Sequence, residues 1–539
     1  MENFDQKSSF ISWPVLAMMC FVTVIGFDDL IYNLQGQGLG VVTSWILMLF
    51  LYVVPYALMV GQLGSAFSNE GGGLSSWVRG TNGEFLGYFT AWTYWAASIP
   101  YVVDTANSVV VGLGWAIQGN ASMQDNMSNS MFALLTFVVF GIFIFVQSRF
   151  KHSLEILGTI GGVAMFGMTV LFVLMTAASL MRGGHIATQP FTYKTLIPKF
   201  DLHYLTTIGL LIYAVNGSEL IAPFVSRMKK PQSDFPKAMI MLAVMTAFLT
   251  IFGSLALGVF FNAYNLPHDL KMNGSYYAFQ ALGKSFNMGN TLMYIFAWTE
   301  VFYLAALLAV LLEAMTRMLI SDTGARYMPK VLRKKNASGL PINGYLLTVG
   351  LSAFIMLLGI FLPDMNDIFN WLLNLNGIIS PGVTCWVFFA FIKIRMNSDK
   401  YPSDYVFIKN DKLALAFGWW CFIITAVATV FGFGPQDVKF ASSTWWYELI
   451  INIIAIVVLI GLGAVMPYIT SREERSTTGA AFTRVQWTGI LSTIIIGLVL
   501  ILYLGGTHIA NKILYILIVA IASIVLVMLF GRREYNLAE

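Results

Sequence analysis

Apolar residues in this chain neither alternate with polar ones nor keep to one helical face. They come in long blocks separated by short polar stretches. A block of about 18 or more apolar residues can cross the hydrocarbon core of a bilayer as a helix. Fourteen spans are predicted on this basis, at 13–34, 40–66, 84–117, 131–147, 153–180, 203–226, 235–263, 289–319, 343–362, 367–393, 412–432, 445–466, 485–505 and 512–531. Several exceed the roughly 20 residues a perpendicular helix needs, which predicts tilted or broken helices. No connecting stretch is large enough for a soluble domain. The block nearest the N-terminus follows MENFDQKSSFISW, which has one Lys and no small-residue cleavage site, so it is read as a retained span.

Composition points the same way. Of 539 residues, 57% are hydrophobic and only 11% charged. Soluble domains carry about 25% charged residues, so this chain lacks the polar surface to face water on all sides. The net charge of +4 therefore argues for no nucleic-acid or other acidic partner. The position of the positive charges is more informative. With the N-terminus inside, 24 of the 31 Lys and Arg fall in internal segments and 7 outside. An excess of positive charge is the expected mark of cytoplasmic loops, so both termini are predicted to be cytoplasmic, in a cell membrane. The sequons at Asn120 and Asn126 are read as chance. Cys20, Cys385 and Cys421 sit in apolar blocks without metal-ligand or disulfide spacing and are read as small buried hydrophobes, and no cofactor or metal is expected.

Two spans look interrupted. In the first, MMCFVTVI runs into Gly26, Phe27, Asp28 and Asp29. In the sixth, IGLLIYAV runs into Asn216, Gly217, Ser218 and Glu219. An unwound stretch at membrane depth is tolerated only where protein or a polar cavity satisfies its backbone. The first and sixth spans hold the same place in two consecutive sets of five. Matching interruptions there predict an inverted-repeat transporter with its substrate site at the repeat interface.

Asp28, Asp29, Asp104, Glu219 and Glu300 all fall inside predicted spans, and no Lys or Arg occupies the middle of any span. A charge near the bilayer centre costs roughly 2.5–3.5 kcal/mol on insertion scales, so such acids carry a proton or meet a cation. The expectation is that Asp28, Asp29 and Asp104 face a cationic substrate while Glu219 or Glu300 exchanges a proton. Phe27, Tyr101, Tyr213, Trp298 and Tyr303 lie near these acids in sequence and are candidates to cover the site or contact an ammonium group. Asn370, Asn374 and Asn376 could line a wet path or join helices.

Three segments carry a family resemblance: NEGGGLSSWVRGTNGEFLGYFTAW (69–92), YAVNGSELIAPFVSRMKKPQSDFPKAM (213–239) and TRMLISDTGARYMPKVLRKKNASGLPINGYLL (316–347). Over residues 12–465 the chain resembles the amino acid–polyamine–organocation (APC) superfamily of permeases, and looks most like its glutamate–GABA antiporter-like branch. The resemblance implies an all-α polytopic membrane protein with a LeuT/APC-like 5+5 inverted repeat, helices 1 and 6 broken, within about 14 transmembrane helices. Set on the predicted spans, this gives a cytoplasmic N-terminal segment 1–12, a ten-helix transport core over 13–393 and helices 11–12 over 394–466, while two additional helices over 467–531 exceed the family's common twelve and are followed by a short cytoplasmic tail over 532–539. The resemblance also implies a substrate site from Gly26, Phe27, Asp28, Asp29, Tyr101, Asp104, Tyr213, Asn216, Gly217 and Ser218, with Glu219 at the acidic position linked to proton sensing in some relatives.

Gly26-Phe27-Asp28 stands where many members have Gly-Ser-Gly, and a substrate carboxylate beside Asp28 would be repelled. This turns the expected substrate towards an amine, polyamine or cationic amino acid, carried by exchange or with a coupling proton. Glutamate–GABA-type exchange and a non-transporting nutrient sensor on the same scaffold are the alternatives. An enzyme is not expected: no HExxH, Gly-x-Ser-x-Gly or His-rich cluster is present.

Overall fold

The computed structural model describes residues 10–475, apart from 69–72, 150–152, 322–325, 335–340, 360–364 and 436–439, and a few positions between 482 and 525. Most of the thirteenth and fourteenth predicted spans, together with the first nine residues, the tail over 532–539 and the Glu-Gly-Gly of the first family segment, lie outside the described residues.

Twenty α-helices follow in order: α1 (Trp13–Val24), α2 (Phe27–Gln37), α3 (Val41–Met48), α4 (Val54–Ala66), α5 (Leu74–Asn82), α6 (Glu84–Ala97), α7 (Ile99–Gln118), α8 (Ser122–Asn126), α9 (Asn129–Arg149), α10 (Ser153–Met181), α11 (Leu202–Tyr213), α12 (Pro231–Phe248), α13 (Ser254–Phe260), α14 (Leu270–Ser285), α15 (Thr291–Thr316), α16 (Lys330–Arg333), α17 (Ile342–Gly359), α18 (Met365–Met396), α19 (Asp411–Gly432) and α20 (Ser443–Arg475). Among the described residues, ten helical stretches are long and apolar enough to cross a membrane. The first of these, Trp13–Ala66, contains two of the predicted spans, and the shorter apolar helix Ile342–Met356 matches the ninth. The first twelve predicted spans are thus all helical, and the protein is an all-helical, multi-pass membrane protein.

The first span is two helices, α1 and α2, parted at Ile25 and Gly26. The sixth is α11 followed by a tight 3-10 turn run, Ser218–Arg227. The repeat extends to features the sequence reading did not anticipate. The second span passes through a π segment at Leu49–Val53 and the seventh through one at Leu249–Gly253. Each π turn inserts extra backbone into an otherwise regular helix, a device often found near functional sites. Trp45 Nε1 donates to Ser254 Oγ at 3.2 Å and so ties these two regions together. The short helices α5 and α14 follow the second and seventh spans respectively, again at matching places. The third span bends at Ser98, because Pro100 in the first turn of α7 has no N–H to continue the ladder from α6.

Close packing of α10 follows from its Gly158-x-x-Gly161-Gly162 run. A Cβ at Gly162 would lie 2.7 Å from the Met18 carbonyl of α1, and one at Gly161 2.9 Å from the Ala306 Cβ of α15. Small residues are what permit such backbone approach between membrane helices. Large side chains such as Leu134, Val138, Ile423 and Val427 are exposed on the outer faces of α9 and α19, as a lipid-facing surface requires. One difference from the expected boundaries concerns the twelfth span. α20 continues past 466 to Arg475, so the division drawn at 466 falls inside a helix. The polar run Thr-Ser-Arg-Glu-Glu-Arg favours helix as much as it does loop and extends it beyond the apolar block.

Among the described residues outside the helices, one isolated bridge pairs Ile11 with Met228. The Ile11 N–H donates to the Arg227 carbonyl at 3.0 Å. This ties the chain before α1 to the end of the sixth span.

Candidate functional site

The two breaks face each other. At the first, Ile25 and Gly26 are extended (φ −151° and −112°) before α2 begins. Ending α1 in mid-protein leaves carbonyls without helical partners. The Tyr303 hydroxyl of α15 donates to one of them, Val22 O, at 3.1 Å. The start of α2 is capped by its own residue: the Gly26 N–H donates to Asp29 Oδ2 at 2.8 Å. A negative group is favourable at a helix N-terminus, so Asp29 has a partner in the break itself.

At the second break, Gly217 takes φ +111°, and a Cβ there would lie 2.8 Å from the Thr23 carbonyl of α1. Both conditions require glycine. Asn216 is held on two sides. Its Oδ1 accepts from the Tyr52 hydroxyl at 2.8 Å, and its Nδ2 donates to Thr384 Oγ1 at 2.9 Å. The Gly217 N–H donates to the Tyr56 hydroxyl oxygen at 3.3 Å. Glu219, fully buried, accepts from the hydroxyls of Tyr56 and Tyr94. It therefore clasps the sixth span to the second and third.

Between the breaks lies a cavity of about 40 Å³. Its walls are Thr23, Val24 and Asp29 from the first span; Tyr94, Ala97, Ser98 and Tyr101 from the third; Tyr213, Asn216, Gly217 and Leu220 from the sixth; and Asn376, Ser380 and Val383 from α18. That volume accommodates ordered water and is too tight for an amino acid, so this is a closed conformation in which helices must part to admit one. Tyr101 and Tyr213 meet edge to face across one side, with ring centres 5.5 Å apart. The lining contains one carboxyl group, no Lys or Arg, and many hydroxyl and amide groups.

Of the residues expected to hold substrate, Asp29, Tyr101, Tyr213, Asn216 and Gly217 line this cavity, whereas Gly26, Phe27, Asp28, Asp104 and Ser218 are not in its walls. Phe27 is buried among the rings of Phe172, Phe279 and Phe296, with centres 5.0–5.6 Å away. Asp28 projects from a different face of α2 from Asp29, since successive helical residues are turned by about 100°. There it accepts from the Ser275 hydroxyl of α14 and lies against the Glu300 carboxyl of α15. Asp104 is buried within electrostatic reach of Asp28 and Asp29, and its Oδ1 has no hydrogen-bond partner. The Ser218 carbonyl faces the Cys20 thiol at 3.7 Å. Trp298, considered as a cover for the site, is 45% exposed on the outer surface instead.

Sequence reasoning missed Tyr56, Tyr94, Ser98 and Ser380. The amide stripe is present: Asn376 donates to the Tyr213 hydroxyl at 3.5 Å, and the side-chain oxygens of Asn370, Asn374 and Asn376 are buried without a protein donor. Such oxygens suit a hydrated approach along α18 to the cavity.

The amino acid permease family profile matches residues 11–457. An aspartate/glutamate permease of Lactococcus lactis subsp. cremoris is 41% identical over 473 residues, which is 87% of this chain and 97% of that protein. A probable agmatine/putrescine antiporter of Lactococcus lactis subsp. lactis is 23% identical over 463 residues, covering 85% of this chain and 95% of the relative. A glutamate/gamma-aminobutyrate antiporter of the same subspecies is 24% identical over 296 residues, covering 54% of this chain and 57% of the relative.

Proposed function

The chain belongs to the amino acid permease family of the APC superfamily, and from that premise we propose that it carries acidic amino acids, aspartate or glutamate, across the cell membrane. It acts as a carrier and not as an enzyme, with both termini in the cytoplasm. The observation that carries this reading is the cavity between the broken first and sixth spans, in which Asp29 is the one charged group among the described lining residues. The extensive similarity to an aspartate/glutamate permease supports the choice of substrate.

The chemistry of the lining fits such a substrate. One Asp29 oxygen is engaged by the Gly26 amide, and the carboxylate remains available to an α-ammonium group. The hydroxyls of Ser98, Tyr101, Tyr213 and Ser380 and the Asn376 amide offer donors to carboxylates. With no cationic side chain in the lining, two substrate carboxylates enter more readily together with a proton, because an uncompensated buried charge is costly. Asp28 is not in the cavity's walls and meets Ser275 and Glu300 instead, so the argument from it towards a cationic substrate loses its geometric footing.

Transport follows from the breaks. Each half-helix can tilt about its unwound hinge, so the substrate is exposed first to one side of the membrane and then to the other. Glu219, with its two tyrosines, holds one side shut in this conformation.

The test is uptake of labelled aspartate and glutamate by the purified full chain in liposomes, with agmatine, putrescine and GABA as competitors. Saturable uptake of either acidic amino acid supports the proposal. Uptake of agmatine or putrescine alone would replace it with amine exchange, the second reading. That reading draws on the 23% identical antiporter and on the number of buried acids around the first break. Specific binding without any flux would favour a sensor.

A further inference from the structure

We propose that Asp28 and Glu300, lying against one another beside Ser275, form a proton-binding site separate from the substrate cavity, whose occupancy decides whether α2 rests against α15. This rests on the transport reading above.

Glu300 is completely buried, and neither of its carboxyl oxygens receives a hydrogen bond from any donor. Its polar neighbour is the Asp28 carboxyl, which already accepts from Ser275. A carboxylate has no hydrogen to give, so two carboxyls in contact are joined only when one of them is protonated. Among the described residues, no Lys, Arg or His faces the pair. Facing the pair are Asp29 and Tyr32 from α2, Asp104 from α7, Tyr276 from α14 and Tyr303 from α15. On α14, Lys284 is exposed in the last turn, and Lys271 lies a turn before Ser275, its backbone N–H donating to Gln35 in the last turn of α2. A metal ion would need more ligands than two carboxyls and one hydroxyl. Among the described residues, no group of three or more His, Cys, Asp or Glu is arranged to hold one. The proton is the cation that fits.

Its departure has a mechanical result. Removing it turns the one O–H of the pair into two negative charges in contact in a region of low dielectric, where their repulsion is strong. The elements that carry them are α2 and α15, with α14 joined through Ser275. Repulsion drives α2 and α15 apart, while the Ser275 hydroxyl of α14 still donates to Asp28. Because Asp29, the next residue, lines the substrate cavity, movement of α2 alters the cavity directly. The protonated pair holds this side closed over substrate, and the deprotonated pair lets it open. Substrate and proton then cross together.

The experiment compares two fluxes in liposomes containing the full chain: glutamate accumulation driven by an inward pH gradient, and glutamate counterflow with no gradient. The ratio of the first to the second is expected to fall about tenfold in Glu300→Gln and in Asp28→Asn, an ordinary size for coupling between two ligands. An unchanged ratio in both variants overturns the proposal. Where neither variant assembles, infrared difference spectroscopy of the wild-type chain decides. A carboxylic-acid carbonyl band that vanishes on alkalinisation supports the site, and absence of such a band overturns it. A wild-type chain that moves no amino acid defeats the transport reading instead, while the infrared band still reports on the carboxyl pair.

Discussion

Two glutamates, Glu219 and Glu300, are equally buried, yet one is surrounded by donors and the other has none. Glu219 receives two tyrosine hydroxyls from neighbouring spans. Glu300 meets another carboxyl. The first arrangement is satisfied as it stands and acts as a clasp. The second is complete only with something added. Burial alone therefore does not identify the carboxyl that cycles during transport; the inventory of donors around it does.

The sharpest way to break this comparison is to remove both side chains in the same manner. Glu219→Leu strips the acceptor from two buried hydroxyls, each worth about 1–2 kcal/mol in a membrane interior. Thermal unfolding in detergent is expected to show a loss of about 2–4 kcal/mol. Glu300→Leu removes a carboxyl whose polar neighbour is the Asp28 carboxyl alone, and its loss is expected to be smaller, about 0.6 kcal/mol. Equal losses would erase the distinction.

Next in size is Gly217→Ala. It forces a side chain into a left-handed backbone position and against the Thr23 carbonyl, a strain of about 1–3 kcal/mol. Uptake is expected to fall about tenfold or more, a drop that corresponds to 1.4 kcal/mol or more. Gly26→Ala has an ordinary φ and meets the Tyr303 hydroxyl at 3.0 Å, so its loss of uptake is expected to be the smaller.

Tyr94→Phe then sharpens the clasp. It leaves Glu219 one hydroxyl and is expected to cost about 1 kcal/mol in the same unfolding measurement. The smallest effect belongs to Tyr303→Phe, which uncaps the Val22 carbonyl at a cost of about 0.6 kcal/mol. A loss above that of Tyr94→Phe would make Tyr303 the more important of the two.

Much of this fold was legible in the sequence because its signals are local. Apolar length marks a span, and a glycine beside a carboxylate in mid-span marks a break, so Gly26 and Gly217 stood out. What stayed hidden depends on distance along the chain. The partners of Glu219 lie 163 and 125 residues away, and Ser275 reaches Asp28 across 247. No periodicity encodes those meetings. The π segments were hidden for another reason: LFLYV and LTIFG are as apolar as their flanks. Grouping Asp28 with Asp29 overlooked a signal that was present, since adjacent helical residues face different ways. One of these acids lines the cavity, and the other meets Glu300.

The pairing of Ile11 with the strand-like end of the sixth span has a practical side. One backbone rung joins the entry of α1 to Met228. A fluorescent protein or purification handle fused directly ahead of this rung would pull on it, so a long spacer belongs between the two.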